Sequence, residues 1–299
     1  MKDFTEESLR DQLELACSAR GMSAAGARLV HHYSNAVFVL PALDAVVRIN
    51  VGQTAPAIGI TQEVTRWLVN EHAYPATAPV EDAPPVQLDS GLTASFWRYY
   101  PQPDDGPPFR SAHLADLLRR LHDLPMPPIE LPRWEPFGAL RRVLSQNVPL
   151  PGLSDEEVEW LRDRVDAVQH QIAAAHWPLG HGMVHGDGWA GNLLWDRDRV
   201  MLGDWDNVSL GPREIDLIPT WHAAIRYGRE TAWVQEFADT YGYDMARHES
   251  FDLLLQMRDL VQLSGPLRRA GESEPHLAAL RQRFEGIRTG NRSQSWIGL

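Results

Sequence analysis

A short proline-rich segment, residues 101–108, divides the sequence into two parts of different character. It carries prolines at positions 101, 103, 107 and 108 and a glycine at position 106. Proline fixes φ at about −65° and has no N–H to donate, so neither a helix nor a central strand runs through such a segment. We therefore predict a hinge or linker at 101–108, an N-terminal lobe over residues 1–100 and a C-terminal lobe over residues 109–299.

The part before the linker is predicted to be rich in β-strands. Residues 35–40 and 45–50 are apolar and β-branched, and four residues that begin with Pro41 join them. This pattern predicts an antiparallel hairpin. The other elements expected here are two strands, 86–88 and 92–100, and two helices, 5–19 and 60–72.

Helices dominate the part after the linker. One of them begins with Ser154 and Glu157 in the spacing of a capping box, in which each residue satisfies an N–H at the start of the helix. The helices are expected at about 111–123, 135–146, 154–175, 213–227, 230–241, 247–263 and 275–287. The chain is therefore predicted to be an α+β protein with a small β-rich N-terminal lobe and a larger helical C-terminal lobe.

The composition excludes several classes of protein. Lys and Arg number 28 and Asp and Glu number 40, and the formal net charge of −12 argues against a non-specific nucleic-acid binder, which needs a basic surface. The single cysteine, Cys17, excludes an intramolecular disulfide and a cysteine-rich metal site. No apolar run approaches the roughly 20 residues of a membrane span, and the first residues lack the pattern of a signal peptide. We therefore expect a cytoplasmic protein with no nucleic-acid or membrane partner.

One β-rich stretch within the helical part, residues 182–206, has the clearest chemical meaning. Asp187 is followed by Asn192, and Asp204 comes 12 residues later at the end of a predicted strand. Phosphoryl transfer from ATP needs a carboxylate that orients the acceptor hydroxyl and accepts its proton, and hard oxygen ligands that hold Mg²⁺ against the phosphates. We therefore expect these three residues to lie together around a divalent ion, at the mouth of a groove between the lobes.

The same residue types also have a structural interpretation. Asp and Asn are common in turns, so Asp187 and Asn192 taken singly fit a simple turn. Asp206 is interpreted as an ion-pair partner rather than a metal ligand. The three tryptophans of this stretch are interpreted as packing residues: Trp189, Trp195 and Trp205. The position of Asp204 relative to the other two is what favours the catalytic interpretation.

Four short motifs follow one another in this region. They are His185-Gly186-Asp187 with Asn192, then Asp204-Trp205-Asp206, Gly211-Pro212 and Asp216-Leu217. In this order they resemble the aminoglycoside phosphotransferase family, which belongs to the group with a protein-kinase-like two-lobe fold. The resemblance implies that Asp187 is the catalytic aspartate and that Asn192 and Asp204 bind Mg²⁺. It also implies that His185 supports the loop and that Asp216 is a structural carboxylate that holds the catalytic loop.

The resemblance also indicates how the phosphates of ATP are held. Kinase-like folds use a basic residue on the third strand, paired with a glutamate of the following helix. Lys2 is the only lysine and is far from that place, whereas Arg48 occupies it and Glu63 lies in the next helix. A guanidinium binds phosphate in a bidentate way, although a surface arginine on an edge strand is the alternative. Ser34 stands where a glycine-rich loop is expected and is a candidate for the β-phosphate.

The adenine of ATP is expected against residues 95–100, at the end of the last predicted strand of the first lobe. The backbone there would hydrogen-bond the adenine while apolar side chains cover its faces. The candidate residues are Phe96, Arg98 and Tyr99. Ordinary strand packing explains the same aromatic residues, so both interpretations stay open.

The acceptor is expected in the helical part after the stretch. Acidic residues there suit an aminoglycoside or another amine-bearing alcohol, although acidic helix faces are commonly just solvated. They are Glu214, Glu230, Glu236, Asp239, Asp244, Glu249 and Asp252. Two functions follow from the sequence: an ATP- and Mg²⁺-dependent phosphotransferase that acts on a small-molecule hydroxyl, and, because the strand lysine and the glycine-rich loop are missing, a non-catalytic nucleotide- or ligand-binding protein on the same scaffold.

Overall fold

The computed structural model describes residues 5–32, 35–88, 91–146 and 149–299. The chain forms two compact units, and each is made of several segments. The first comprises Met1–Phe109, Asp123–Pro132 and Ala190–Val208, and the second comprises Arg110–His122, Arg133–Trp189 and Ser209–Leu299.

The first part of the chain has these elements: α1 (Glu6–Ser18), β1 (Arg28–His32), β2 (Asn35–Leu40), β3 (Ala45–Val51), α2 (Ala55–His72), β4 (Val86–Gln87) and β5 (Leu92–Arg98). The remainder has α3 (Ser111–His122), α4 (Gly138–Leu144), α5 (Asp155–Ala174), β6 (His181–Val184), β7 (Leu193–Asp196), β8 (Arg199–Leu202), β9 (Ser209–Pro212), α6 (Ile218–Tyr227), α7 (Thr231–Tyr241), α8 (Phe251–Val261), α9 (Ser264–Arg269) and α10 (Glu274–Thr289). The predicted α+β class is confirmed, and residues 99–110 contain neither helix nor strand.

The main sheet of the first unit has five strands in the order β1-β2-β3-β5-β4. The predicted hairpin of β2 and β3 is confirmed. Phe38, Val47 and Phe96 are neighbours across three strands and are fully buried in a core that α1 shares. Since successive side chains of a strand point to opposite faces, Arg48, which follows Val47, lies on the other face of the sheet.

The second unit is a helical assembly. The capping box at the start of α5 is confirmed, because the side chains of Ser154 and Glu157 each accept a hydrogen bond from the backbone N–H of the other. Helix α3 packs against α7, and α5 packs against α8. No helix among the described residues combines the length and the apolarity that a membrane crossing requires.

The stretch 182–206 is shared between the two units. Strand β6 pairs with β9 in an antiparallel ladder of the second unit, from His181 opposite Pro212 to Val184 opposite Ser209. Strands β7 and β8 form a hairpin that belongs to the first unit. One continuous sequence motif therefore contributes residues to two separate packing environments.

Candidate functional site

The loop after β6 carries Asp187. Gly186 has φ +81°, in the left-handed region where glycine is favoured, and it turns the chain away from the strand. A Cβ on Gly188 would lie 2.7 Å from the backbone oxygen of Asp216, so only glycine fits there. The loop is thus packed tightly against the segment that contains Asp216.

The side chain of Asp216 holds this loop by accepting hydrogen bonds from the backbone of the loop. Its Oδ2 accepts a hydrogen bond from the N–H of His185 at 2.7 Å, and its Oδ1 accepts one from the N–H of Gly186 at 2.8 Å. The side chain of His122, on α3, lies 3.0 Å from Oδ2 through Nε2, and its Nδ1 lies 2.7 Å from the hydroxyl of Tyr241. Asp216 is therefore hydrogen-bonded to the backbone of the loop and to His122, a partner that the sequence does not indicate.

Asp216 is fully buried, and three donors compensate its charge. Burial alone would raise the pKa of Asp216, but the hydrogen bond and the charge of His122, together with His185, hold the pKa below its ordinary value. An ionised carboxylate only accepts hydrogen bonds, so Nε2 of His122 donates to Asp216, while Nδ1 of the same ring is hydrogen-bonded to the hydroxyl of Tyr241. The loop is therefore fixed by a chain of hydrogen bonds that reaches from β6 to α7.

The carboxylate of Asp187 has an arginine partner. Nη2 of Arg258, on α8, donates to Oδ1 of Asp187 at 3.1 Å, and the side chain of Asp187 keeps 27% of its surface exposed. The backbone N–H of Asp187 donates to Nδ1 of His185 at 3.3 Å, so His185 supports the loop from within. Asp187 is thus reachable from solvent and held beside a positive charge.

In the first unit, two segments that are distant in sequence meet at Arg48. Its Nη2 donates to Oδ1 of Asp204 at 3.0 Å and to Oδ2 of Asp206 at 2.8 Å. Burial would lower the pKa of Arg48, but the charges of Asp206 and Asp204 outweigh it and raise that pKa. Asp206 therefore has the ion-pair role expected for it. Glu63 is exposed on α2 and has no ion pair within the described part of the chain.

The hairpin of β7 and β8 brings Asn192 beside the residue that precedes Asp204. The backbone N–H of Gly203 donates to the backbone oxygen of Asn192 at 2.8 Å. Asp204 has φ +58°, a left-handed conformation that few residues other than glycine, asparagine and aspartate adopt, and 44% of its side-chain surface is exposed. An amide oxygen and a carboxylate are hard donors that suit Mg²⁺. The residues present therefore fit a divalent cation, although the described residues contain no cluster of three or more His, Cys, Asp or Glu that could hold one alone.

The residues expected near the adenine lie at the end of β5. The ring of Phe96 is fully buried in the core, as the packing interpretation requires. The backbone N–H groups of Arg98 and Tyr99 donate to the oxygens of Ala78 and Asp44 at 2.9 and 2.8 Å. Ser34 lies outside the described residues.

The tryptophans of the stretch have different environments. Trp205 is buried, and Trp195 stacks on Phe109 with ring centroids 5.2 Å apart. Trp189 is 48% exposed, so its interpretation as a packing residue is wrong. It follows Asp187 by two positions, and its backbone N–H donates to the oxygen of Asp187 at 3.0 Å. The chain therefore presents an exposed indole beside the candidate catalytic residue.

Several acidic residues considered for the acceptor have structural partners. Glu214 is fully buried and accepts the N–H of Leu179 at 2.8 Å. Glu236 accepts hydrogen bonds at the start of α3, and Asp252 pairs with Arg292. These three acidic residues therefore have structural roles that do not require a ligand.

Asp187 belongs to the second unit, whereas Arg48, Asn192 and Asp204 belong to the first. Within the first unit, the predicted residues Arg48, Asn192 and Asp204 are brought together by direct contact or through Gly203. Within the second, His185, Asp187 and Asp216 are brought together. The meeting of Asp187 with Asn192 and Asp204 stays a prediction.

Comparison with known proteins gives a family and a fold. The model of a family described as the phosphotransferase enzyme family matches residues 26–251. A search of the curated proteins finds no match to this sequence.

Among solved structures, this chain is similar to an amicoumacin kinase in complex with AMP-PNP, Ca²⁺ and Ami, with a TM-score of 0.68, 13% identity and 98% of each chain covered. It is also similar to a choline/ethanolamine kinase family protein from Mesorhizobium loti, with a TM-score of 0.60, 18% identity and 94% of each chain covered. A third is the aminoglycoside phosphotransferase APH(3'')-Id from Streptomyces rimosus with ADP and streptomycin, with a TM-score of 0.55 and 21% identity over 84% of this chain and 98% of that one. These likenesses confirm the predicted two-lobe α+β fold class.

Proposed function

The chain belongs to the phosphotransferase enzyme family, and on that premise we propose that it transfers the γ-phosphoryl group of ATP to a hydroxyl group of a small molecule, with Mg²⁺ as the metal. The observation that carries the proposal is the contact of Arg48 with Asp204. It joins residues 156 positions apart that the sequence singles out separately, one for the phosphates and one for the metal. A cation and a metal-binding carboxylate side by side suit the phosphates of a nucleotide.

Asn192 and Asp204 are the residues that would hold Mg²⁺. When bound, the ion would neutralise charge on the phosphate oxygens. Arg48 would contact the phosphates while Asp206 keeps its guanidinium oriented, since Asp206 Oδ2 is the nearer of its two carboxylate partners at 2.8 Å. The hard oxygen donors and the adjacent guanidinium support this assignment.

Asp187 is the proposed general base. The acceptor hydroxyl gives its proton to the carboxylate of Asp187 while the hydroxyl oxygen bonds to the γ-phosphorus. The bond between that phosphorus and the leaving oxygen of ADP breaks. A base needs a fixed position, and two hydrogen bonds from the loop backbone to the buried carboxylate of Asp216 supply it. The partial exposure of Asp187 leaves room for an acceptor.

The acceptor class is proposed to be small alcohols that carry an amine. The formal net charge of −12 attracts cationic molecules over long range. Similar proteins are named for choline or ethanolamine and crystallised with streptomycin. These names describe those proteins, and for this chain they select the first acceptors to test.

The test is ADP release from ATP and Mg²⁺ with a panel of acceptors: ethanolamine, choline, streptomycin, a neutral sugar and homoserine. We expect turnover with at least one, and a fall in kcat of about 10²- to 10⁴-fold in Asp187→Asn. The matched control is Asp163→Asn, because Asp163 is an exposed aspartate of α5 in the same unit, and it should keep wild-type turnover.

A thermal-shift titration with ATP and Mg²⁺ separates binding from catalysis. Asp187→Asn should show the wild-type shift, because the nucleotide side of the site lies on other residues. A wild-type protein that is stabilised by ATP and Mg²⁺ but releases no ADP with any acceptor would be a non-catalytic binding protein, and the proposal would fail.

A further inference from the structure

Two arginines on neighbouring helices of the second unit have different surroundings. Arg226, on α6, is 4% exposed and has a full set of partners. Its Nε and Nη2 donate to the two carboxylate oxygens of Asp259 at 2.9 and 2.5 Å. Its Nη1 donates to the backbone oxygens of Asn291, Arg292 and Gln294. Arg226 therefore joins α6 and α8 to the C-terminal segment, as a structural arginine does.

Arg258 is different. Its side chain is only 15% exposed, and its hydrogen bond among the described residues is the one from Nη2 to Oδ1 of Asp187 at 3.1 Å. Its Nε is buried without a hydrogen-bond partner in that part of the chain. Removing a guanidinium from water for one ion pair contributes little net stability, and a buried N–H without an acceptor is a cost. Stability alone therefore does not explain this arginine.

Helix α8 fixes where Arg258 lies. Asp259, the next residue, is 5% exposed and accepts hydrogen bonds from Arg226 and from Nε2 of His222, the latter at 3.0 Å. Burial lowers the pKa of His222, and the charges of Arg258 and Arg226 lower it further against the opposing effect of Asp259. These bonds fix α8 to α6 at the residue next to Arg258, and from there the guanidinium of Arg258 reaches Asp187.

We propose that Arg258 is a positioning residue for phosphoryl transfer: its guanidinium holds the carboxylate of Asp187 in the orientation that receives the acceptor proton. Arg258 itself neither gains nor loses a proton, and the proton passes from the acceptor oxygen to Asp187. This inference rests on the proposed function of Asp187. A carboxylate that is misplaced by about 1 Å loses about a hundredfold in rate.

The experiment is a double-mutant cycle of Arg258→Gln and Asp187→Asn, with Arg258→Lys as the conservative variant. The readouts are kcat and the KM for ATP from ADP release, first with water as the acceptor and then with the fastest alcohol of the panel. We expect Arg258→Gln to lower kcat by about a hundredfold with the KM for ATP unchanged, and Arg258→Lys to recover part of the loss. In the Asp187→Asn background, Arg258→Gln should have no further effect, because it acts through that carboxylate.

Arg247→Gln is the matched control. It removes an arginine of the same unit that pairs with Asp244 at 3.3 Å but is 87% exposed, and it should leave kcat unchanged. The midpoint of thermal unfolding of each variant shows whether it folds. If Arg258→Gln does not fold, the comparison is made with Arg258→Lys instead.

The outcomes separate the two proposals. If Asp187→Asn loses turnover while Arg258→Gln keeps it, or if the two losses multiply in the double variant, the role of Arg258 is overturned and the role of Asp187 stands. If Asp187→Asn keeps wild-type kcat, the proposed function of Asp187 fails. A wild-type protein that releases no ADP with water or any alcohol contradicts both.

Discussion

Glu236 shows how a single residue of this protein couples pH to stability. This residue of α7 accepts hydrogen bonds from the hydroxyl of Ser111 at 2.7 Å and from the N–H of Ala112 at 3.2 Å, and it pairs with Arg110. The hydrogen bond from Ser111, followed by that from Arg110, lowers the pKa of Glu236 from 4.5 to about 2. Glu236 thus accepts the backbone N–H of Ala112 in the first turn of α3, which a capping residue ordinarily does.

Because the folded-state pKa of Glu236 lies below its ordinary value, its contribution to stability is complete above the ordinary pKa. The contribution is lost as pH falls towards the folded value, from 4.5 to about 2. We expect Glu236→Gln to lower the free energy of unfolding at pH 7 by about 1 kcal/mol, and the difference from wild type to shrink over this pH range. Urea unfolding of both proteins at several pH values measures this difference in the free energy of unfolding. Glu159→Gln, at an exposed position of α5, is the control, and an equal difference at pH 7 and pH 2 would contradict the expectation.

The residues of the candidate site differ in how well the sequence indicates them. Asp187, Asn192 and Asp204 stand out because loop and hairpin geometry fixes their spacing along the chain. Arg258 and His122 do not, because each reaches its partner from a helix that is distant in sequence, at 71 positions for Arg258 and 94 for His122. Nothing in the local pattern of α8 or α3 distinguishes such a residue from an ordinary polar residue on a helix.

At the scale of elements, the loop after β6 depends on the close approach of its backbone to Asp216. A Cβ at position 188 would lie 2.7 Å from the backbone oxygen of Asp216 and 3.2 Å from Cδ1 of Leu118. A backbone atom cannot move aside as a flexible side chain does, so the loop itself would shift. We expect Gly188→Ala to lower kcat by about tenfold or more and to lower the midpoint of thermal unfolding. Steady-state kinetics and thermal unfolding measure the two effects.

Gly265→Ala is the matched control for that variant. A Cβ on Gly265 would meet nothing within 4 Å, so both kcat and the thermal midpoint should be retained or slightly raised. If Gly188→Ala behaved like Gly265→Ala, the tight packing of the loop would not matter for turnover.

The elements that the sequence predicts well are those with a strong local signal. The β2–β3 hairpin has an alternating pattern and turn residues between its strands, and α5 begins with a capping box. The sequence does not predict helix α9, because Gly265 and Pro266 are helix breakers in most contexts. The proline here stands in the first turn, where its missing N–H costs nothing. The predicted helix 213–227 is a short 3-10 helix, Arg213–Asp216, followed after Leu217 by α6, and Pro219 lies in the first turn of α6. Strand β1 is not among the predicted strands, because it lacks a buried face that would give an alternating pattern.

At the scale of the whole molecule, the sequence indicates an α+β chain but not that Ala190–Val208 joins the first unit. Long-range contacts decide this, and they have no local signature. The N–H of Leu202 donates to the oxygen of Pro75 at 2.8 Å, and the N–H of Thr77 donates to the oxygen of Leu202 at 3.1 Å. The first unit therefore cannot be obtained as one continuous piece of chain.

This discontinuity leads to an expectation for a fragment of residues 110–299, which lacks the largest segment of the first unit. The β7–β8 hairpin would lose its hydrogen bonds to Pro75 and Thr77, and Trp205, 1% exposed in the chain, would lose the edge contact with Tyr74. Burial of a large aromatic side chain contributes about 2–3 kcal/mol, and a two-stranded hairpin is marginal on its own. We expect the hairpin to be disordered in the fragment, with high amide hydrogen exchange at 193–202 and protection at the same positions of the full chain. Equal protection in both would show that the hairpin folds without the first unit, contrary to the contacts that bury it.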